Sequence, residues 1–376
     1  MIYLTILIYS AVLLYCYDVK NAIVGRRANY VLAYIVLVAL MAFRYRVGGD
    51  TINYIYNFDY LTPELKDLDL FSVTRRQPIP AFLFSFFKTY LNDFTYIQAL
   101  FAVFVNAVVF WFLKTNTKYY FTALFFYILC FYMRLNCEIM RESLAISFFL
   151  LGYRFLVGKS YLKYYIFAIL AFLCHVSAIF LFILPFIFSS VSAKWKIIAG
   201  IVFVVTIGYF VPSHIIQILD LYMDSYTNYK SSFYGKLSII IFNILIPLFY
   251  IQKAKSCCSA DIIKGTYIYV WCGVASLFFY ILFRFNNYTT IFYVIVLSNL
   301  LNYTLRKYHD TLDAIIKNCG YTIIFCYIFV SAYFTDISAI VGKPARWYVR
   351  WYPYYSVFQK DTDITREQFI SSQNAK

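Results

Sequence analysis

YYIFAILAFLCHVSAIFLFILPFIF, residues 164–188, runs for 25 residues without Asp, Glu, Lys or Arg. One membrane crossing takes about 20 mainly apolar residues, so the stretch is long for one helix and short for two full ones. Its flanks decide how it is read. Lys159 and Lys163 precede it, and Lys194 and Lys196 follow it. Short loops rich in Lys and Arg stay on the cytoplasmic side. With both pairs there, the segment must enter the bilayer and return, turning near Cys174-His175. It does so either as two half-crossings or as a buried re-entrant hairpin, because non-helical backbone at membrane depth is tolerated only against protein or a water-filled cavity. One basic loop on the wrong side would instead make it a single crossing.

The remaining chain also demands lipid as its solvent. Of 376 residues, 62% are hydrophobic and 14% charged, against about 45–50% and about 25% in soluble domains. The 40 Tyr and 40 Phe suit a headgroup boundary, where one end of a ring is dry and the other wet. Spans are expected at 2–17, 28–45, 94–113, 118–133, 140–157, 197–211, 237–252, 266–283, 288–305 and 320–336. Residues 79–91 are too short to cross and are expected to dip without crossing. No small-residue cleavage site follows the first segment, which therefore reads as a retained anchor. The expected fold is an all-α polytopic membrane protein of about 10–12 helices with re-entrant or half-crossing segments and an outward-facing cavity. Residues 1–355 form one transmembrane domain, with large outer loops at 44–78 and 212–236. Residues 356–376 are read as a polar, mobile tail without an apolar face.

A formal charge of +15 invites a nucleic-acid reading. The basic residues, however, lie in twos and threes between apolar runs, as topology signals do, so no nucleic-acid partner is expected. Cys257 and Cys258 are adjacent, no CxxC or Cys/His ligand spacing occurs, and most other Cys lie inside apolar runs. A metal site is not expected, and neither a phosphate-binding Gly-rich loop nor HExxH is present, so no cofactor is implied.

Ionisable residues at or inside apolar runs are costly and tend to be functional. Five clusters qualify. Arg44-Tyr45-Arg46-Val47-Gly48-Gly49-Asp50, followed by Tyr54, combines guanidinium groups with a Gly pair that permits close backbone approach; an Arg at a helix end also simply snorkels to the headgroups. Arg134, Glu138 and Arg141 share one helical face by spacing. Arg134–Glu138 is expected to neutralise itself, which leaves Arg141 as the candidate ligand. His175, at the inferred apex, is a candidate proton acceptor, although a lone His in an apolar run is commonly a satisfied core residue. Arg284-Phe285-Asn286-Asn287-Tyr288 lie in the short outer turn between two spans. Residues 343–355 mix Lys343, Arg346 and Arg350 with Trp and Tyr, as an interfacial anchor or a carbohydrate site would. The charge count puts all five on the outer side. An Arg-rich outward cavity with one Asp and one His suits an anionic headgroup such as a pyrophosphate.

In order and spacing, FRYRVGGDTINY (43–54), EIMRESLAISFFLLGYRF (138–155), LAFLCHVSAIFLFILPF (170–186), LFRFNNYTTIFYV (282–294) and YPYYSVF (352–358) resemble the EpsG/Wzy-type polysaccharide polymerase family. Glu142 departs from it, standing where the family often has Gln. The resemblance implies a bacterial inner-membrane enzyme, similar to GT-C-type membrane glycosyltransferases, that polymerises O-antigen or exopolysaccharide repeat units without a metal. Its active site would face the periplasm. The donor would be the growing glycan on undecaprenyl pyrophosphate, and the acceptor a sugar hydroxyl of one lipid-linked repeat. Membrane lipids and a chain-length regulator are the further partners implied. In that picture Arg44, Arg46, Arg141 and Arg284 surround the pyrophosphate, and Arg346 and Arg350 with nearby tyrosines, Tyr54 among the candidates, hold the glycan or second headgroup. Asp50 or His175 takes the acceptor proton, with His175 favoured slightly by its intrinsic pKa. Two other classes fit an Arg-lined cavity: a flippase for lipid-linked oligosaccharide, and a membrane O-acyltransferase built on His175.

Overall fold

The computed structural model describes residues 2–69, 77–189, 233–278, 280–307 and 345–374. Those residues form an all-α polytopic membrane protein with no sheet; one isolated bridge, Arg44 to Ser356, joins two loops. The helices are α1 Ile2–Leu14, α2 Arg26–Ala42, α3 Gly49–Tyr56, α4 Pro78–Tyr90, α5 Phe94–Asn116, α6 Tyr120–Tyr127, α7 Met140–Val157, α8 Tyr161–Cys174 and α9 Leu184–Phe188. They continue with α10 Phe233–Ser238, α11 Ile246–Ala254, α12 Ala260–Phe278, α13 Arg284–Lys307 and α14 Ile364–Asn374. Four described segments are long and apolar enough to cross a bilayer: 2–19, 94–116, 235–254 and 284–306. The expected spans at 197–211 and 320–336, and nearly all of the expected outer loop 212–236, lie outside the described residues.

Local signals set the helix ends. Asp93 caps α5 by accepting the Thr95 N–H at 2.8 Å, and the ring of Pro78 fits the first turn of α4, where no N–H is needed. At about 1.5 Å per residue α4 is near 20 Å long, too short for a hydrocarbon core of about 30 Å. That length agrees with the dip expected at 79–91. On α1, Leu4, Ile8 and Val12 are each more than half exposed. Their spacing of four puts them on one face, a stripe that water would penalise and lipid accepts.

The decisive segment folds back. α8 ends at Cys174, His175 is extended (φ −157°, ψ 132°), and a 3-10 turn over Val176–Ile183 leads into α9. The Tyr164 hydroxyl donates to the Leu181 carbonyl at 2.8 Å, and the rings of Tyr165 and Phe182 stack at 6.1 Å. In a continuous helix, residues 17 positions apart would be separated by about 25 Å. The apex therefore lies at His175, where the charge count places it. α7 and α8 pack side by side because Gly152 has no side chain: a Cβ there would sit 2.8 Å from Phe167 Cβ.

The C-terminal segment corrects the sequence reading. Residues 364–374 are helical, and Phe369 and Ile370 are buried against Val349 and Trp347. Two apolar residues in an otherwise polar stretch form too small a face to register as amphipathic, yet they suffice to dock one helical turn.

Candidate functional site

α2 carries the chain to the turn 43–48, and Gly48 adopts φ +107° there, open to glycine at low cost. A Cβ on Gly48 would meet the Cys137 carbonyl at 2.5 Å, and one on Gly49 would lie 2.6 Å from Glu138 Oε2 and collide with the Arg350 guanidinium. The Gly pair thus lets the start of α3 press against the segment before α7. There the Gly49 N–H donates to Glu138 Oε1 at 2.8 Å, and Arg350 Nη2 pairs with Glu138 Oε2 at 2.9 Å. The expected Arg134–Glu138 ladder does not form. The helix breaks at Ile139 (φ −111°, ψ 45°), which turns Glu138 away from the register of Arg141. Arg134 lies instead over the ring of Phe283.

Asp50 follows Gly49 and sits in the field of Glu138, Arg350, Arg141 and Arg284. Burial and the neighbouring Glu138 carboxylate push its carboxyl up to about 6, against the opposing pull of the three arginines. Arg141 lies over the Tyr54 ring, 5.3 Å from its centroid. Its Nε is buried with no hydrogen-bond partner among the described residues, as is Arg350 Nε. Such donors are normally satisfied, so these two point to an acceptor that the described residues do not supply.

α13 closes the site. Arg284 Nη1 lies 3.7 Å from Glu142 Oε2 and 3.4 Å from His175 Nε2, while the Asn287 amide donates to Glu142 Oε1 at 2.9 Å. His175 Nδ1 is 2.6 Å from Ser177 Oγ, which contacts the Tyr288 hydroxyl at 2.8 Å. The Ser177 N–H also donates to His175 Nδ1, at 3.2 Å, so both ring nitrogens face hydrogen-bond donors. A doubly protonated imidazolium would set like charges 3.4 Å apart. His175 thus rests against Arg284, and Asp50 is partly exposed where Glu138 and Glu142 are buried.

The structure thus gathers Asp50, Tyr54, Arg141, His175, Arg284 and Arg350 from α3, α7, the hairpin apex, α13 and the 347–350 turn. Arg44 is placed differently. It is buried and donates to the carbonyls of Met41 at 2.6 Å and Val47 at 3.2 Å, locking the turn it belongs to. Arg46 is held by both oxygens of Glu367, at 2.6 and 2.7 Å, and Arg346 is exposed. Sequence reasoning missed Glu138 as the bridge to Arg350, and Asn287 and Glu142 as supports for Arg284. The signal present for Asn287 was its place beside Arg284 in the same short polar turn.

Among the described residues no group of three or more His, Cys, Asp or Glu could hold a metal ion. The profile of the EpsG family matches residues 27–356. That stretch contains every residue just gathered. The family is associated with glycosyltransferase-like polymerase activity, which gives the chain a polysaccharide-polymerase type of role. No curated protein and no solved structure matches the chain.

Proposed function

We propose that this chain, which belongs to the EpsG family, polymerises lipid-linked oligosaccharide repeat units at the outer face of a bacterial inner membrane. The observation that carries the reading is the meeting of one carboxylate, Asp50, with Arg141, Arg284 and Arg350 from separate segments. In the reaction, the acceptor sugar hydroxyl loses its proton to the Asp50 carboxylate as its oxygen attacks the anomeric carbon of the donor glycan. The bond from that carbon to the pyrophosphate oxygen breaks, and the electron pair leaves with undecaprenyl pyrophosphate. Arg141 and Arg284 stabilise the charge that develops on departure, and His175 keeps Arg284 aimed. Arg350 holds the second headgroup while tied to Glu138. A carboxyl near pH 6 is ionised at neutral pH and still basic enough to accept a proton in the transition state. With guanidinium groups neutralising the leaving group, no metal ion is required.

The test is elongation by the purified chain in lipid vesicles, supplied only with lipid-linked repeat unit. The expected result is a ladder of longer glycans with release of undecaprenyl pyrophosphate, unchanged by EDTA. Transfer of the repeat across the bilayer without lengthening would make the chain a flippase, and acylation that depends on an acyl donor would make it an acyltransferase.

A further inference from the structure

We infer that Arg366, outside the stretch matched by the family profile, is a positioning residue for the site; the inference rests on the polymerase reading above. Two loops meet at the site in an antiparallel seam. The Tyr45 N–H donates to the Tyr355 carbonyl, the Val357 N–H to the Phe43 carbonyl and the Gly48 N–H to the Arg350 carbonyl, each at 2.8 Å. One side of the seam leads directly into Gly49 and Asp50, and the other carries Arg350. The distance between the proposed base and Arg350 therefore depends on the register of this seam.

Arg366 pins that register. It is 1% exposed. Its Nη1 donates to the Arg46 carbonyl at 3.0 Å on one side of the seam. Its Nε donates to the Val349 carbonyl at 2.9 Å on the other, and Nη2 reaches the Pro353 carbonyl. A buried guanidinium is costly unless acceptors surround it, and here all three acceptors are backbone atoms of the two loops. The planar fork of Arg spans both sides at once, which the point charge of Lys does not. Neighbouring contacts reinforce the clamp. Glu367 takes the Arg46 guanidinium with both oxygens, and the buried face of α14 extends to Ile52 on α3, two residues from Asp50. Of these groups only Arg366 bonds to both sides of the seam, and none of its bonds reaches the proposed substrate position.

The experiment uses the full chain in lipid vesicles, as wild type, Arg366→Gln and Arg366→Lys, each normalised to folded protein by its melting transition. Two readouts are taken. Amide hydrogen exchange at residues 43–50 should rise about tenfold or more in Arg366→Gln, with the α5 and α7 cores unchanged. The elongation rate per folded molecule should fall about 100-fold, as small misplacements of reacting groups do, and its acid limb should move to higher pH. The sign follows from the charges around Asp50. Arg350, Arg141 and Arg284 favour its ionised form and Glu138 opposes it, so loosening Arg350 makes the carboxyl harder to ionise. Arg366→Lys should fall between the other two. Unchanged exchange at 43–50 overturns the inference. So does a loss of activity that only tracks the folded fraction with the acid limb unmoved. If wild type elongates nothing, the polymerase reading fails, and the exchange arm still decides whether Arg366 holds the seam.

Discussion

Two buried polar clusters stand at the opposite ends of α2, and they are built on different principles. At its start, Asp18 is buried and both of its carboxylate oxygens are hydrogen-bonded. It takes the Arg26 guanidinium at 2.9 Å and both the N–H and hydroxyl of Thr122, at 2.7 and 2.9 Å. Asn302 donates to the Thr122 hydroxyl at 2.8 Å, and Arg306 reaches the Asp18 carbonyl at 3.1 Å and Asn21. This cluster ties the first two helices to α6 and α13 and leaves nothing over. Beyond the other end of α2, Arg141 and Arg350 each keep a buried donor, and Asn286, in the first turn of α13, keeps both amide atoms, without a partner among the described residues. A saturated network gives stability, whereas an unsaturated one holds binding capacity in reserve. Ionisable residues at membrane depth therefore divide by how fully they are satisfied, rather than by type.

That contrast predicts opposite consequences for similar substitutions. The largest effect is expected for Asp50→Asn, which should cut the elongation rate by about 100-fold to 10,000-fold at a normal level of folded protein. The wild-type rate should fall as pH drops through about 6, because the base is lost as Asp50 takes up its proton; a flat profile from pH 5 to 8 would remove Asp50 from the role. Arg141→Ala should cost about 100-fold to 1,000-fold in rate, with a melting temperature close to wild type. Wild-type chain-length ladders from this variant would sink the idea that the unsatisfied end is the working one.

At the saturated end the signs reverse. Asp18→Ala removes the carboxylate that Arg26 and Thr122 share and should destabilise the fold by about 3 kcal/mol, lowering the melting temperature while the rate per folded molecule is retained. A selective loss of rate there would erase the distinction between the ends. The smallest effect is expected for Gly49→Ala, where the added methyl meets Glu138 and Arg350. Overpacking of this kind costs about 1–3 kcal/mol. Measured against Gly152→Ala, a packing glycine away from the site, it should lose rate as well as stability.

Five charged clusters were legible in the sequence because ionisable residues stand out in apolar runs, and the hairpin was legible because Lys pairs flank both of its ends. Partner choice was not. Glu138 has Arg134 one helical turn away in sequence, yet it bonds Arg350 from the far end of the chain. Arg44 and Arg46 look equal on paper, but one locks its own turn and the other holds α14.

The sequence alone determined that lipid is the solvent and where the hairpin turns, since these follow from local hydropathy, charge and helix length. Only the tertiary structure decided which arginines are consumed in holding the backbone and which keep a buried donor unpaired among the described residues. Helix breaks at Ile139 and His175 and the seam between residues 43–48 and 350–357 bring distant groups within 4 Å. Pairing at that range depends on distance in space, which spacing along the chain does not encode.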